Sequence, residues 1–264
     1  MDYIMSNKEA WEEAFDNRSK DWGKDIKYRL ENEELPFIEK VLADELIKYD
    51  FKNKTIAQFC CNNGRELFSF MKLGASYGVG FDIAENMVSF ANSTAKELGI
   101  NCSFVSTNIC KIDEKYHDTF DYIFITIGAL TWFEDLSEFF KKVSLCLKKD
   151  GRLIINEMHP VTNMLAFNGE EEYDEKNPSK IEYSYFRKEP WVEDNGMGYM
   201  TNKAYDSKTF YSYSHTVSLI LNSIIKNNMH VEKMIEFDYD ISGMFSDLDN
   251  KGIPLSYILI SQKY

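Results

Sequence analysis

The chain's 264 residues, 44% hydrophobic and 15% aromatic, suffice for one α/β domain of ordinary size with an insertion, and for a core that needs no disulfide staples. Thirty basic residues against forty-three acidic ones leave a net charge of -13, which repels nucleic-acid phosphates and anionic lipid surfaces. Met1 to Lys8 carry acid early with no signal-length apolar core, and no run elsewhere approaches the roughly 20 apolar residues of a membrane span, so a cytoplasmic protein is expected.

Residues 8 to 49 place Trp11, Phe15, Trp22, Tyr28, Phe37 and Leu46 among others at broadly helical intervals, predicting two or three helices, with Pro36 opening one of them. Strand and helix then alternate. Strands are predicted at Thr55 to Phe59, Tyr77 to Phe81, Cys102 to Val105, Phe120 to Ile127 and Arg152 to Asn156, with helices from Gly64 to Leu73, from about Ala84 to Leu98, and around Leu136 to Leu147. Met87, Val88, Ala91, Ala95 and Leu98 form the stripe of the second of these helices, and Gly99 stops it. The Phe120 strand is too continuously apolar to be an edge, and βα units of this length imply a parallel sheet covered on both faces. Lys141-Lys142 and Lys148-Lys149 are solvated helix-end faces rather than a basic patch.

The rhythm breaks between Met158 and about Ser214, where aromatic residues crowd an insertion with short strands expected at Ile181 to Phe186 and Phe210 to Ser214. Glu170-Glu-Glu172 is expected to be a solvated loop there. A helical stripe from Val217 to Ile225 follows, then strands at Val231 to Asp238 and Leu255 to Gln262.

One stretch carries chemistry. Thr55-Ile-Ala-Gln-Phe-Cys-Cys-Asn-Asn-Gly-Arg-Glu66 runs an apolar strand into a tight turn and a helix, and Asp82 ends the next strand eighteen positions after Gly64. This arrangement builds a pocket for a nucleoside with two ribose hydroxyls. Five cysteines, an odd number that includes the adjacent Cys60 and Cys61, lack paired C-x-x-C spacing, so reduced thiols and no metal site are expected.

The order of elements, the carboxylate ending the second strand, and the phrases Gln58-Phe-Cys-Cys-Asn-Asn-Gly64, Ile127-Gly-Ala-Leu-Thr-Trp132 and Glu157-Met-His-Pro160 together resemble the class I S-adenosylmethionine-dependent methyltransferases, in a small-molecule branch. The resemblance spans roughly Thr55 to Tyr264. It implies a Rossmann-like, doubly wound α/β fold with a seven-stranded, mostly parallel sheet, helices on both faces and an antiparallel last strand at Leu255 to Gln262. It divides the chain into an N-terminal helical segment, 1–50, covering the cofactor site, a methyltransferase core at 51–157 and 215–264, and a substrate cap at 158–214. The family's first loop usually reads acid-x-Gly-x-Gly-x-Gly. Here Gln58 stands for the acid, Cys60 and Asn62 for the first two glycines, and only Gly64 is retained; Asn tolerates left-handed geometry and Cys is small.

The resemblance implies S-adenosylmethionine, with S-adenosylhomocysteine as product, held at Cys60, Cys61, Asn62 and Gly64, with Asp82 on the ribose hydroxyls. Ile83 and Ile109 would flank the adenine, Asn108 would meet its amino group, and Thr126 and Ile127 would line the methionine arm. Methyl transfer needs alignment and exclusion of water more than a protein nucleophile, a task suited to Trp132, Tyr185, Trp191 and Tyr199 as substrate contacts. His159 and His215 are alternative proton acceptors, with solution pKa values of about 6.5, and Glu157 is a third. The expected activity is methylation of an oxygen or nitrogen of a small metabolite by a monomer or homodimer with no membrane or nucleic-acid partner. A catalytically inactive methyltransferase-like binding protein and an NAD-dependent oxidoreductase are the alternatives, the second needing glycines that Cys60 to Gly64 largely lack.

Overall fold

Three helices, α1 (Tyr3–Asp16), α2 (Ile26–Asn32) and α3 (Lys40–Leu46), lead into the first strand of the computed structural model, which describes residues 2–201 and 205–264. Positions 202–204, inside the expected cap, lie outside the described residues. The alternating core follows as β1 (Thr55–Phe59), α4 (Arg65–Met71), β2 (Tyr77–Asp82), α5 (Glu85–Leu98), β3 (Cys102–Ser106), β4 (Phe120–Thr126), α6 (Leu136–Cys146) and β5 (Leu147–Met158). The insertion contributes β6 (Trp191–Glu193), α7 (Gly198–Thr201) and β7 (Phe210–Ser212), and α8 (Val217–Lys226), β8 (Met229–Phe237) and β9 (Ser256–Lys263) close the chain.

Local chemistry sets the boundaries. Asp135 caps α6 by accepting N–H bonds from Ser137 and Glu138, and Thr216 caps α8 through Leu219 N; each such cap is worth about 1 kcal/mol. Gly99 ends α5 in the left-handed conformation, as a C-terminal glycine does. Met87, Val88, Ala91 and Ala95 are the buried stripe of α5.

The main sheet runs β3-β2-β1-β4-β5-β9-β8. β1, β2, β3, β4 and β5 pair in parallel, and β9 is antiparallel to both its neighbours. Apolar residues cover both faces: Phe59, Ile123, Phe139 and Ile224 belong to one core, Phe68, Phe70, Phe124 and Ile258 to the other. Phe70 stacks on Phe124 at 3.9 Å between ring centroids. Strand order reverses between β1 and β4, and that reversal opens a crevice at the carboxyl ends of the strands. No helix among the described residues is long and apolar enough to cross a membrane.

Three expectations are corrected. Pro36 opens no helix, because Phe37 takes a left-handed φ of 67° and Ser69 Oγ donates to the Pro36 carbonyl. Residues Ile181 to Phe186 form no strand: Glu182 N and Tyr183 N both donate to the Met164 carbonyl, which folds the segment back, and β7 pairs with β6. Finally, β5 begins at Leu147, five residues before Arg152.

Gly64 serves the packing of this core. Its φ is +81°, and a Cβ there would lie 2.5 Å from the Phe104 ring. Gly64→Ala is therefore expected to lower stability by about 2–4 kcal/mol, through left-handed strain plus overpacking, in urea unfolding followed by circular dichroism. An unchanged midpoint would refute this packing role.

Candidate active site

The crevice is a cavity of about 860 Å³. The β1–α4 turn forms one wall. Cys60, Asn62 and Gly64 all have positive φ, at 58°, 50° and 81°, so the three positions that the sequence aligned with family glycines share the left-handed backbone even though two carry side chains. Asp82 at the end of β2 fixes this turn: its Oδ2 accepts from Asn62 N at 2.7 Å and its Oδ1 from Ala84 N at 3.0 Å. Burial raises the Asp82 pKa, and these N–H groups oppose the shift.

Most of the expected residues meet on this cavity. Cys60, Asn62, Asp82, Ile83, Asn108 and Ile109 line one side. Thr126, Ile127, Trp132, Trp191 and Tyr199 line it further along, as do Glu157, His159 and His215. Three expected residues do not. Cys61 is buried in the core behind the turn, Gly64 faces Phe104, and Tyr185 turns away because its hydroxyl accepts from Val217 N at 2.9 Å. Glu170, expected in solvent, instead stands in the cavity wall, with its Oε2 accepting from Phe167 N. Gln58 is 1% exposed, and its Nε2 donates to Thr126 Oγ1 at 2.9 Å, tying β1 to β4 behind the wall.

Other wall residues escaped the sequence reading. Tyr3, Asn7 and Trp11 of α1 line the cavity, and Asn7 pins the helix by exchanging two hydrogen bonds with the Tyr211 backbone, at 2.8 and 2.7 Å. Trp11 meets Trp132 and Phe210 edge-on at 5.2 and 5.6 Å. Tyr257 of β9 also lines the cavity, directly opposite Glu157 of β5. Helical spacing exposed Trp11 as an apolar position, but nothing local to the sequence pairs Tyr257 with Glu157.

Glu157 is 4% exposed. Its carboxylate accepts from Gly128 N at 2.5 Å, Ala129 N at 2.6 Å, Leu130 N at 3.1 Å and Met158 N at 3.3 Å. Burial pushes its pKa up to about 7, and the four N–H groups pull the other way. So many donors make it a clamp for the loop after β4 rather than a mobile base. His159 is held through one ring nitrogen. Its Nδ1 accepts from Val161 N at 3.1 Å, which puts the ring proton on Nε2, 3.0 Å from Glu236 Oε1. His215 Nε2 lies 2.9 Å from the Phe133 carbonyl, and burial lowers its pKa more than the Phe133 and Leu130 carbonyls raise it.

Replacing the clamp tests it. Glu157→Gln puts an amide NH₂ among backbone donors and removes the charge, at a cost of about 2–4 kcal/mol. Thermal melting should fall by several degrees, and amide exchange at Gly128 to Leu130 should accelerate. Wild-type melting and protection would eliminate the clamp.

Residues 50–206 match a family model described as a methyltransferase domain. An uncharacterized protein of Haemophilus influenzae is 25% identical over 190 residues, 71% of each chain. Among solved structures, an S-adenosylmethionine dependent methyltransferase from Mesorhizobium loti is similar with a TM-score of 0.62 at 18% identity, covering 89% of this chain and 100% of that one. Geranyl diphosphate C-methyltransferase from Streptomyces coelicolor, solved with Mg2+, geranyl diphosphate and S-adenosyl-L-homocysteine, gives a TM-score of 0.61 at 12% identity, over 100% and 98% of the two chains. At such identities the structural likeness is one of fold. The family model covers more than half of the sequence, and the chain belongs to the methyltransferase domain family, with the fold of the S-adenosylmethionine-dependent enzymes.

Proposed function

We propose that this protein moves the methyl group of S-adenosylmethionine to an oxygen or nitrogen of a small metabolite, in the cytoplasm. The observation that carries the reading is that one cavity joins the Asp82 wall to the aromatic wall contributed by α1, the loop after β4 and the insertion. Its volume of about 860 Å³ suits a nucleoside cofactor together with a small partner.

The residues fit the nucleoside. Each Asp82 oxygen accepts one backbone N–H and keeps a further lone pair, so the carboxylate can take a ribose hydroxyl on either oxygen. Ile83 and Ile109 supply apolar faces for the adenine, while Asn108 Oδ1, engaged with Cys110 N at 2.9 Å, has a second lone pair for its amino group. Thr126 and Ile127 border the methionine arm. When bound, S-adenosylmethionine supplies a methyl carbon already activated by the sulfonium. The chain's own part is to align the acceptor and exclude water. In this reading residues 1–50 cover the cofactor and 158–214 form the substrate cap, with Trp132, Trp191 and Tyr199 as walls.

The inactive-protein alternative rests on the departures at Gln58, Cys60 and Asn62, and the left-handed turn kept at Cys60 and Asn62 weighs against it. A dehydrogenase is disfavoured by the family match.

Calorimetry with S-adenosylhomocysteine tests the reading. Binding is expected in the wild type, with Asp82→Ala weakening it about tenfold or more, the loss of at least one charge-assisted hydrogen bond. The ribose hydroxyls donate to the carboxylate, and burial raises the pKa of Asp82. Affinity should therefore be full above that raised pKa and decline as pH falls through it, with proton release on binding at the acid end. No binding at millimolar ligand would overturn the proposal.

A further inference from the structure

We infer that the substrate is an amine bound as its cation, its ammonium group held between the carboxylates of Glu193 and Glu170 at the end of the cavity walled by the insertion. The inference rests on the methyl-transfer reading and adds the charge of the substrate.

The two-stranded sheet of the insertion turns one face to the cavity. Side chains alternate along a strand, and Trp191, Glu193, Phe210 and Ser212 line the cavity whereas Val192 and Tyr211 do not. Pairing sets Glu193 opposite Phe210 and Trp191 opposite Ser212, so Glu193 is the one charged side chain of the four. Its carboxylate has no hydrogen bond or ion pair among the described residues, and burial raises its pKa. Glu170 enters the wall from the loop before this sheet, with Oε2 accepting from Phe167 N at 3.1 Å. Burial raises its pKa, the Phe167 N–H opposes the shift, and the charge of Glu193 raises it further, so the two carboxylates stand within Coulombic reach of each other.

Like charges converging on one lobe repel, and a cation between them relieves the repulsion. The protein supplies none among the described residues. Arg65 is the only lysine or arginine of the cavity wall, and its Nε lies 3.0 Å from Glu66 Oε1. Arg187 stacks on the Trp191 ring at 3.8 Å and donates to the Glu189 and Pro190 carbonyls. The surroundings fit an organic cation better than a metal ion. Tyr183 meets Trp191 edge-on at 4.7 Å, and aromatic faces attract an ammonium. Ca2+ or Mg2+ instead takes about six or more oxygen ligands, and no group of three potential metal ligands stands together among the described residues. A phosphate or carboxylate substrate would be repelled here, and a neutral alcohol would leave both charges unpaired.

Benzylamine, a cation at neutral pH, is a suitable probe for a lobe walled by rings, and benzyl alcohol has nearly the same shape without the charge. Each is titrated by calorimetry into the full chain, with and without S-adenosylhomocysteine. Benzylamine is expected to bind about tenfold more tightly than benzyl alcohol. Glu193→Gln keeps the size of the side chain and relieves the repulsion on Glu170. It should lose most of the amine preference, leave benzyl alcohol binding unchanged and melt at or above the wild-type temperature. Glu175→Gln, which removes an exposed charge outside the cavity wall, should retain the preference. Equal affinities, no benzylamine binding, a preference that survives Glu193→Gln or is lost equally in Glu175→Gln, or a lowered melting temperature of Glu193→Gln would overturn the inference. The two claims fail separately. Nucleoside binding without an amine preference defeats only the cation site, whereas an amine preference without nucleoside binding defeats the methyl-transfer reading.

Discussion

A single buried carboxylate holds the site together. Glu157 leaves the end of β5 and takes the N–H groups of Gly128, Ala129 and Leu130 in succession. Removing such a charge from water costs several kcal/mol, and only multiple charge-assisted hydrogen bonds offset it. The loop so fixed carries Trp132 into the aromatic wall and presents the Phe133 carbonyl that sets the tautomer of His215. The same loop anchors the insertion, because Tyr213 N donates to Thr131 O at 2.8 Å and Thr131 Oγ1 donates back to Tyr213 O at 3.1 Å.

The β1–α4 wall follows a similar logic through Asp82. One carboxylate both shapes the β1–α4 turn and lines the cavity, so the turn and that part of the wall are set by one side chain. The left-handed conformation is what the turn requires, and glycine is only the least strained way to reach it. Asn62 adopts that conformation and bonds to Tyr199 of the insertion at 3.2 Å. A glycine there could not make this link between the turn and the insertion.

Much of this was legible in the sequence. Apolar periodicity placed the core strands and helices, because a strand or helix repeats its burial every two or 3.6 residues whatever it packs against. The placement of Asp82, the stop at Gly99 and the break in rhythm after β5 are equally local. Where local signals misled, a distant partner had intervened: Pro36 gives its carbonyl to Ser69, and Ile181 to Phe186 is bent by the Met164 carbonyl.

The sequence by itself determined the fold class, the succession of strands along the chain and the residue types available to the crevice. Tertiary structure decided which of them act together. It set Tyr257 opposite Glu157, docked Asn7 on the Tyr211 backbone far along the chain, withdrew Tyr185, and engaged one ring nitrogen each of His159 and His215 while leaving the other without a hydrogen-bond partner among the described residues. The physical reason is that backbone periodicity is a property of neighbouring residues, whereas the hydrogen-bond state of a side chain depends on groups brought beside it only by folding.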